Sequence, residues 1–347
     1  MTRRATNMQM VNNISEPLEP QMEQMARLCD RVKPLLSVNC LTYNHAPYLR
    51  DALESFVNQQ TDFPFVVVVH DDASTDGTAD IVREYAAKYP ERIMPFIETE
   101  NQYSKRDGSL QRRVNACLRG RYVAFCEGDD WWSDPLKLQK QVDFLEANPD
   151  YAMCYTGAEI FSQQEGRIVG IWEGSAESFS ELVENNSIPT MTAVVRYDVL
   201  MQYTDEVPRD PRWLMGDLPM WLWIAAHGKI KFMDCLTACY RVLEESASHS
   251  HSLRRRYAFE LSAIEIRRHF VERYPELIDD TTLGNVRRRT YEKLLRDAMV
   301  LGDDVFVTEA RAFLRDCPLR LKLRLCVRCP RVMTPLLRLW YRIKGKL

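Results

Sequence analysis

Residues 63–69, FPFVVVV, form an unbroken apolar run that ends directly in His70-Asp71-Asp72. A strand that is apolar at every position, not at every second one, must be covered on both faces. Its neighbours alternate in type. Residues 34–42 read as a strand, 47–59 as a helix, 78–89 as a helix, 92–97 as a strand, 109–118 as a helix and 121–126 as a strand. This succession predicts right-handed βαβ units and a parallel sheet with helices on both sides, so the fold class is α/β. After Pro135 the rhythm changes. A helix is expected over 135–148, extended pieces at 151–161, 168–172, 190–196 and 230–232, and a helix over 214–227. Beyond Ser252 only helices are expected. The chain thus divides into an arm at 1–33 with a short helix near 19–31, an α/β body at 34–252, and a helical extension at 253–347 with a basic tail.

Ligands of open α/β sheets bind at the carboxyl ends of the strands. Three such ends carry unusual chemistry here. Thr42, Tyr43 and Asn44 close the first strand with a hydroxyl, an aromatic face and an amide, a set suited to a base, a ribose or a phosphate. His70-Asp71-Asp72-Ala73-Ser74-Thr75-Asp76-Gly77-Thr78 closes the second. Turn and cap chemistry accounts for Ser74 to Thr78. It does not account for Asp71 and Asp72, whose like charges need a donor or ligand to compensate them. The third is Glu127-Gly128-Asp129-Asp130-Trp131-Trp132, with three carboxylates in four residues. Hard oxygen ligands at this density suit Mg²⁺ or Mn²⁺ carrying a diphosphate. Gly128 allows close approach of the backbone to phosphate. Trp131 and Trp132 offer flat faces for a sugar; a place in the core for one or both is the other reading.

The 46 Lys/Arg and 49 Asp/Glu of the 347-residue chain give a net charge of −3, which offers no general reason to expect nucleic acid as a partner. The hydrophobic fraction of 46% excludes global disorder. Charge is unevenly spread, however. From Cys317 to Leu347 there are nine Lys/Arg and no Asp/Glu. Cys40, Cys126 and Cys154 lie inside apolar runs, as buried free thiols of a reducing compartment do. The first residues lack an apolar h-region, so no secretory signal is expected, and no run is long enough to span a bilayer. A peripheral membrane protein stays open.

The motifs VNCLTYN (38–44), HDDASTDGT (70–78) and FCEGDD (125–130) at these separations resemble the family-2 glycosyltransferases of the GT-A fold, over residues 34–252. The resemblance implies a nucleotide-sugar-binding domain with a mixed central sheet. By it, Thr42, Tyr43, Asn44, Asp71 and Asp72 hold the donor nucleotide, with uridine as base, and Gly128 lies against the donor. Glu127-Gly128-Asp129 matches the DXD motif, with Asp129 as direct ligand of Mn²⁺ or Mg²⁺ and Glu127 at the metal or the ribose. Asp130, Trp131 and Trp132 fall at the acceptor. Met215-Gly216-Asp217 resembles the family's ED motif, which makes Asp217 the catalytic base; Gly216 stands where the family has Glu. Tyr240-Arg241 with Ser246, Ser248 and His249 resembles a segment that closes over the diphosphate, with His249 a further metal ligand. Leu41 replaces a frequent Pro, and the family's Arg-Asn pair is replaced around Arg112 and Arg113, one of which is expected at the donor.

The implied reaction moves a sugar from a UDP-sugar to a hydroxyl of a growing glycan or lipid-linked oligosaccharide, with inversion, in surface polysaccharide synthesis. A non-catalytic nucleotide- or carbohydrate-binding scaffold is the alternative. A sugar nucleotidyltransferase is another, although residues 41–49, LTYNHAPYL, lack its Gly-rich basic phosphate loop. Residues 319–346 alternate apolar and basic residues, which suits a helix lying on an anionic membrane surface; packing against the acidic body or a second copy is the other reading. The expected location is cytoplasmic, at the inner face of the membrane.

Overall fold

The computed structural model describes residues 19–243 and 252–344. Helix α1 (Glu19–Val32) buries Met25 and Cys29. It is fixed by Gln21, whose amide both donates to the Ile97 carbonyl at 3.0 Å and accepts the Ile97 N–H at 2.8 Å. Alternation follows as β1 (Leu36–Thr42), α2 (Leu49–Val57), β2 (Phe65–Asp71), α3 (Thr78–Lys88), β3 (Ile93–Ile97), α4 (Ser109–Cys117) and β4 (Tyr122–Phe125). These four strands are parallel, in the order β3-β2-β1-β4. All seven positions of β2 are buried, the polar His70 and Asp71 included, and the strand lies two residues further along than the apolar run 63–69.

Beyond β4 the sheet turns antiparallel. The next elements are β5 (Trp131–Trp132), α5 (Lys137–Ala147), β6 (Tyr151–Ser162), β7 (Arg167–Trp172), α6 (Phe179–Glu184), β8 (Val194–Arg196), α7 (Tyr197–Glu206), α8 (Leu218–His227) and β9 (Lys229–Val242). The sheet continues β4-β8-β6-β9-β5, with β7 paired antiparallel to the far part of β6 off this path, and β8 runs antiparallel to both β4 and β6. The central sheet is therefore mixed.

Several boundaries differ from the sequence pattern for local reasons. Of the extended stretch expected at 190–196, only Val194–Arg196 joins the sheet, because Thr190–Thr192 forms a 3₁₀ turn behind Pro189. Residues 214–217 stay outside α8. Strand β9 runs far beyond 230–232, since its polar Thr237 is buried with a partner, the Thr156 hydroxyl at 2.7 Å. Helices α6 and α7 leave too short an apolar pattern to be read in advance.

Two compact units emerge. One holds the residues up to Glu177 with Ser187–Pro211 and His227–Arg241; the other holds Ser178–Asn186, Arg212–Ala226 and the chain from Val242 on. The second unit is built on α9 (Leu253–Arg273), α10 (Asp280–Leu301), α11 (Asp304–Leu314), α12 (Leu321–Arg328) and α13 (Pro330–Ile343) around Leu295, Ala298, Phe306, Ala310 and Leu314. Side-chain oxygens of Ser252, Asp279 and Asp303 accept backbone N–H groups at the starts of α9, α10 and α11. Among the described residues no helix is long and apolar enough to cross a membrane.

One charge lies in the core of the first unit. The Lys137 ammonium is fully buried, donates to Gln141 Oε1 at 2.7 Å and sits 4.5 Å from the centre of the Trp132 ring. Burial pushes its pKa down from 10.5 to about 8. Between those values the unfolded chain keeps a proton that the folded chain has released, so this group makes stability rise with pH across that window. Lys137→Met is expected to remove that rise and to stabilise the protein at pH 7 by about 1–3 kcal/mol. Urea denaturation of both proteins at several pH values from 7 upward checks this; an equal pH slope in the two would contradict it.

Candidate functional site

The carboxyl ends of β1, β2 and β4 lie side by side in the parallel part of the sheet, and the acidic motifs follow directly. The ladder continues past the strands: Asp72 N–H donates to the Thr42 carbonyl at 3.0 Å and Gly128 N–H to the Leu41 carbonyl at 2.9 Å. The loops carrying Tyr43–Asn44, Asp71–Asp72 and Glu127–Asp130 are thereby brought together.

The loop after β1 is bound to the loop after β2. Asn44 N–H donates to Ser74 Oγ at 2.8 Å, His45 N–H to Thr78 Oγ1 at 2.9 Å, and Ala46 N–H to Asp76 Oδ2 at 3.0 Å. In return Asn44 Oδ1 accepts the Thr75 N–H at 2.9 Å. Residues 74–78 thus act as turn chemistry, and Asn44 is a tie between loops, well ahead of the start of α2. Asn44 and Ala73 hold positive φ, 55° and 62°, the strained conformation that often marks ligand loops. Tyr43 remains 47% exposed, its ring open.

Donors within the chain compensate both acids after β2. Asp71 accepts the Ser74 hydroxyl and N–H; burial raises its pKa and these bonds partly offset the rise. Asp72 accepts the main-chain N–H of Gln102 at 2.6 Å and of Tyr103 at 3.0 Å. Of the two arginines expected near the donor, Arg112 is exposed and donates to the Asp107 carbonyl at 2.9 Å. Arg113 is buried and paired with Glu98 at 3.2 Å.

The acidic turn after β4 is the densest feature. Ligand oxygens of Glu127, Asp129 and Asp130 lie within 4.8 Å of one another, the one such group among the described residues. Burial raises the Asp130 carboxyl well above the usual range, and the charges of Asp129 and Glu127 add to this. Three buried polar atoms near this turn lack a hydrogen-bond partner: Thr42 Oγ1, His45 Nδ1 and Asp129 Oδ1. They are close neighbours. His45 Nδ1 lies 3.8 Å from Asp129 Oδ1, and a Cβ at Gly128 would meet Thr42 Oγ1 at 2.8 Å and His45 Nδ1 at 3.1 Å. Only glycine fits this position. Unsatisfied buried oxygens and an imidazole nitrogen beside crowded carboxylates form a donor set that fits a hard divalent cation. His45 was not singled out by the sequence, where one histidine after a turn motif carries no distinguishing pattern.

Arg241 holds the turn from beneath. It is 5% exposed. Its N–H donates to Asp130 Oδ1 and its Nε to the Asp129 carbonyl, both at 2.8 Å. The other guanidinium nitrogens reach Gln163 Oε1 at 2.6 Å and Asp51 Oδ2 at 2.7 Å, and the plane lies 4.5 Å from the Trp131 ring centre. Arg241, of the segment expected over a diphosphate, thus supplies the floor of the acidic turn, while the Tyr240 ring packs edge-on against Trp172.

Two residues expected at the acceptor are buried. Trp132 belongs to the core: its ring packs edge-on against Phe56, and its indole N–H donates to the Met191 carbonyl at 2.8 Å. Of the two readings open for these tryptophans Trp132 takes the core one, because pairing of β5 with β9 turns it inward and leaves Trp131 half-exposed. The Asp130 carboxylate is likewise buried on the Arg241 N–H. Asp217 belongs to the second unit and opens α8: its carbonyl accepts the Trp221 N–H at 3.0 Å and its Oδ1 the Leu218 N–H at 2.8 Å. The preceding segment is anchored within that unit, with Leu214 N–H on Ser262 Oγ at 2.7 Å and Trp213 edge-on to His269. Ser246, Ser248 and His249 lie outside the described residues.

Comparison with known proteins agrees with the motifs. The glycosyl transferase family 2 profile matches residues 37–195. The putative teichuronic acid biosynthesis glycosyltransferase TuaG of Bacillus subtilis is 31% identical over 222 residues, which cover 62% of this chain and 82% of TuaG. Uncharacterized mycobacterial proteins are 42% identical over 120 residues, and the match spans 34% of their length. Among solved structures, the mannosyltransferase PcManGT of Pyrobaculum calidifontis, in complex with GDP-Man and Mn²⁺, has a TM-score of 0.54 at 17% identity, covering 92% of each chain. Residues 1–349 of S. aureus TarS in complex with UDP-GlcNAc have a TM-score of 0.52 at 18% identity, covering 89% of this chain and 92% of that one. These likenesses establish a shared fold.

Replacing Arg241 by Met is expected to cost about 2–4 kcal/mol, from the lost charged hydrogen bonds and the ring contact. Chemical denaturation measures it; a loss under about 0.5 kcal/mol, the range of ordinary surface changes, would show that the turn stands without this clamp.

Proposed function

The chain belongs to glycosyl transferase family 2, and on that premise we propose that it is an inverting glycosyltransferase. Its donor is a nucleoside-diphosphate sugar with uridine as base, and its acceptor a hydroxyl of a growing glycan or lipid-linked oligosaccharide in surface polysaccharide synthesis. The observation that carries this reading is the set of partnerless buried atoms on Thr42, His45 and Asp129 beside the crowded acids of the turn after β4. Tyr43, with an open ring, is suited to stack on the base, and Asp71 to accept from base or ribose. Family resemblance supports uridine, although PcManGT takes GDP-Man. TuaG, named for teichuronic acid synthesis, supports a polysaccharide product.

Asp129 and Glu127 would hold the cation, with His45 and Asp130 within the same cluster. A divalent cation bound there supplies Lewis-acid stabilisation of the diphosphate as the anomeric bond breaks. The proposal gives Asp217 the remaining proton: its carboxylate accepts it from the acceptor hydroxyl as that oxygen attacks the face opposite the leaving group. One base and one displacement invert the anomeric centre. General base catalysis of this kind contributes about 10²–10⁴-fold.

Purified protein with UDP-sugars and Mn²⁺ tests the proposal. Asp217→Asn is expected to lower kcat by at least about 10²-fold while donor binding persists. Full turnover by this variant would remove Asp217 from the mechanism, and no turnover of any donor by the wild type would favour a non-catalytic scaffold. Mn²⁺ at about 100 times its Kd should stabilise the wild type by about 2.7 kcal/mol in thermal melts. Asp129→Asn should abolish that shift, and His45→Ala should weaken it. Undiminished activity in excess EDTA would contradict the metal role.

A further inference from the structure

We propose that the outer face of α13 docks the protein onto an anionic phospholipid surface. This inference does not rest on the transferase reading. Helix α13 has two apolar faces. The first is used within its own unit: Met333 and Leu337 pack into the helical core, and the buried Tyr341 hydroxyl bonds the Asp297 carboxylate. The second is open. Val332, Leu336, Leu339, Trp340 and Ile343 are between 44% and 74% exposed. At about 100° per residue these five fall within one arc of roughly 100°. They are therefore a continuous stripe on a helix already held in place by its other side.

The border of the stripe decides its partner. Arg331, Arg338 and Arg342 follow one edge at helical spacing and Lys344 the other, and no Asp or Glu occurs from Cys317 to Leu347. Helix α12 repeats the composition: Leu321 and Leu325 are exposed one turn apart, among Arg320, Lys322, Arg324 and Arg328. Apolar side chains with an aromatic at the rim, on a helix that itself carries cations and no acid, match the boundary between lipid head groups and acyl chains, where anionic head groups meet the cations and the stripe enters the apolar layer. A second copy presents the same cations to itself, so self-association through this face would bring like charges together.

The test uses the full chain with sucrose-loaded vesicles. Binding is expected to vesicles about one third phosphatidylglycerol, and to be at least about tenfold weaker with phosphatidylcholine alone. Leu336→Glu with Leu339→Glu should reduce binding at least about tenfold while the thermal melt and gel-filtration volume stay unchanged. Brominated lipid should quench the tryptophan fluorescence of the wild type, and Trp340→Phe, which keeps the packing, should remove most of that quenching. Equal binding to neutral and anionic vesicles, or undiminished binding by the double variant, would overturn the proposal. So would a wild-type dimer that the double variant converts to monomer without any vesicle binding.

Discussion

Three carboxylates in one turn repel each other, and Arg241 makes that turn possible. Its main-chain N–H and guanidinium take the inner side of residues 129–130, while Trp131 covers the guanidinium plane. Cancelling part of the charge from beneath fixes the backbone of Glu127–Asp130 without using the outer lone pairs. The turn can therefore keep Asp129 Oδ1 without an internal partner beside His45 and Thr42. Gly128 completes the arrangement, since any side chain there would strike Thr42. A turn satisfied on every side would be more stable and would have nothing left for a ligand.

The neighbouring loops are handled differently. Asp71 and Asp72 sit at the end of a fully buried strand, yet their charge is met by the Ser74 hydroxyl and by three backbone N–H groups. Their first task is to shape the loops that carry Tyr43 and residues 101–103. Rigidity in these loops and openness at the acidic turn are complementary: the one presents the other in a fixed geometry, which is what electrostatic stabilisation of a leaving group requires.

The parallel half of the sheet was legible because its strands carry apolar runs and its helices are amphipathic, so that the expected ends of its elements fall within two residues of the observed ones, with 63–69 observed as Phe65–Asp71. The antiparallel half was less so. Buried polar residues such as Thr156 and Thr237 are satisfied by each other from positions far apart in sequence, which no local pattern announces. The same holds at the site. The acids after β2 and β4 stand out by local charge density, whereas His45 and Arg241 matter through residues far away in sequence. Trp132 marks a choice the sequence left open, since adjacency to Trp131 said nothing about which face of the strand would point inward.

The central claim is that a divalent cation binds at Asp129. Diffraction from crystals grown with Mn²⁺ and UDP, collected at the manganese absorption edge, addresses it most directly. An anomalous peak within about 2.0–2.6 Å of an Asp129 carboxylate oxygen is the predicted result. A peak elsewhere, or UDP bound at the strand ends with no peak beside Asp129, would contradict it.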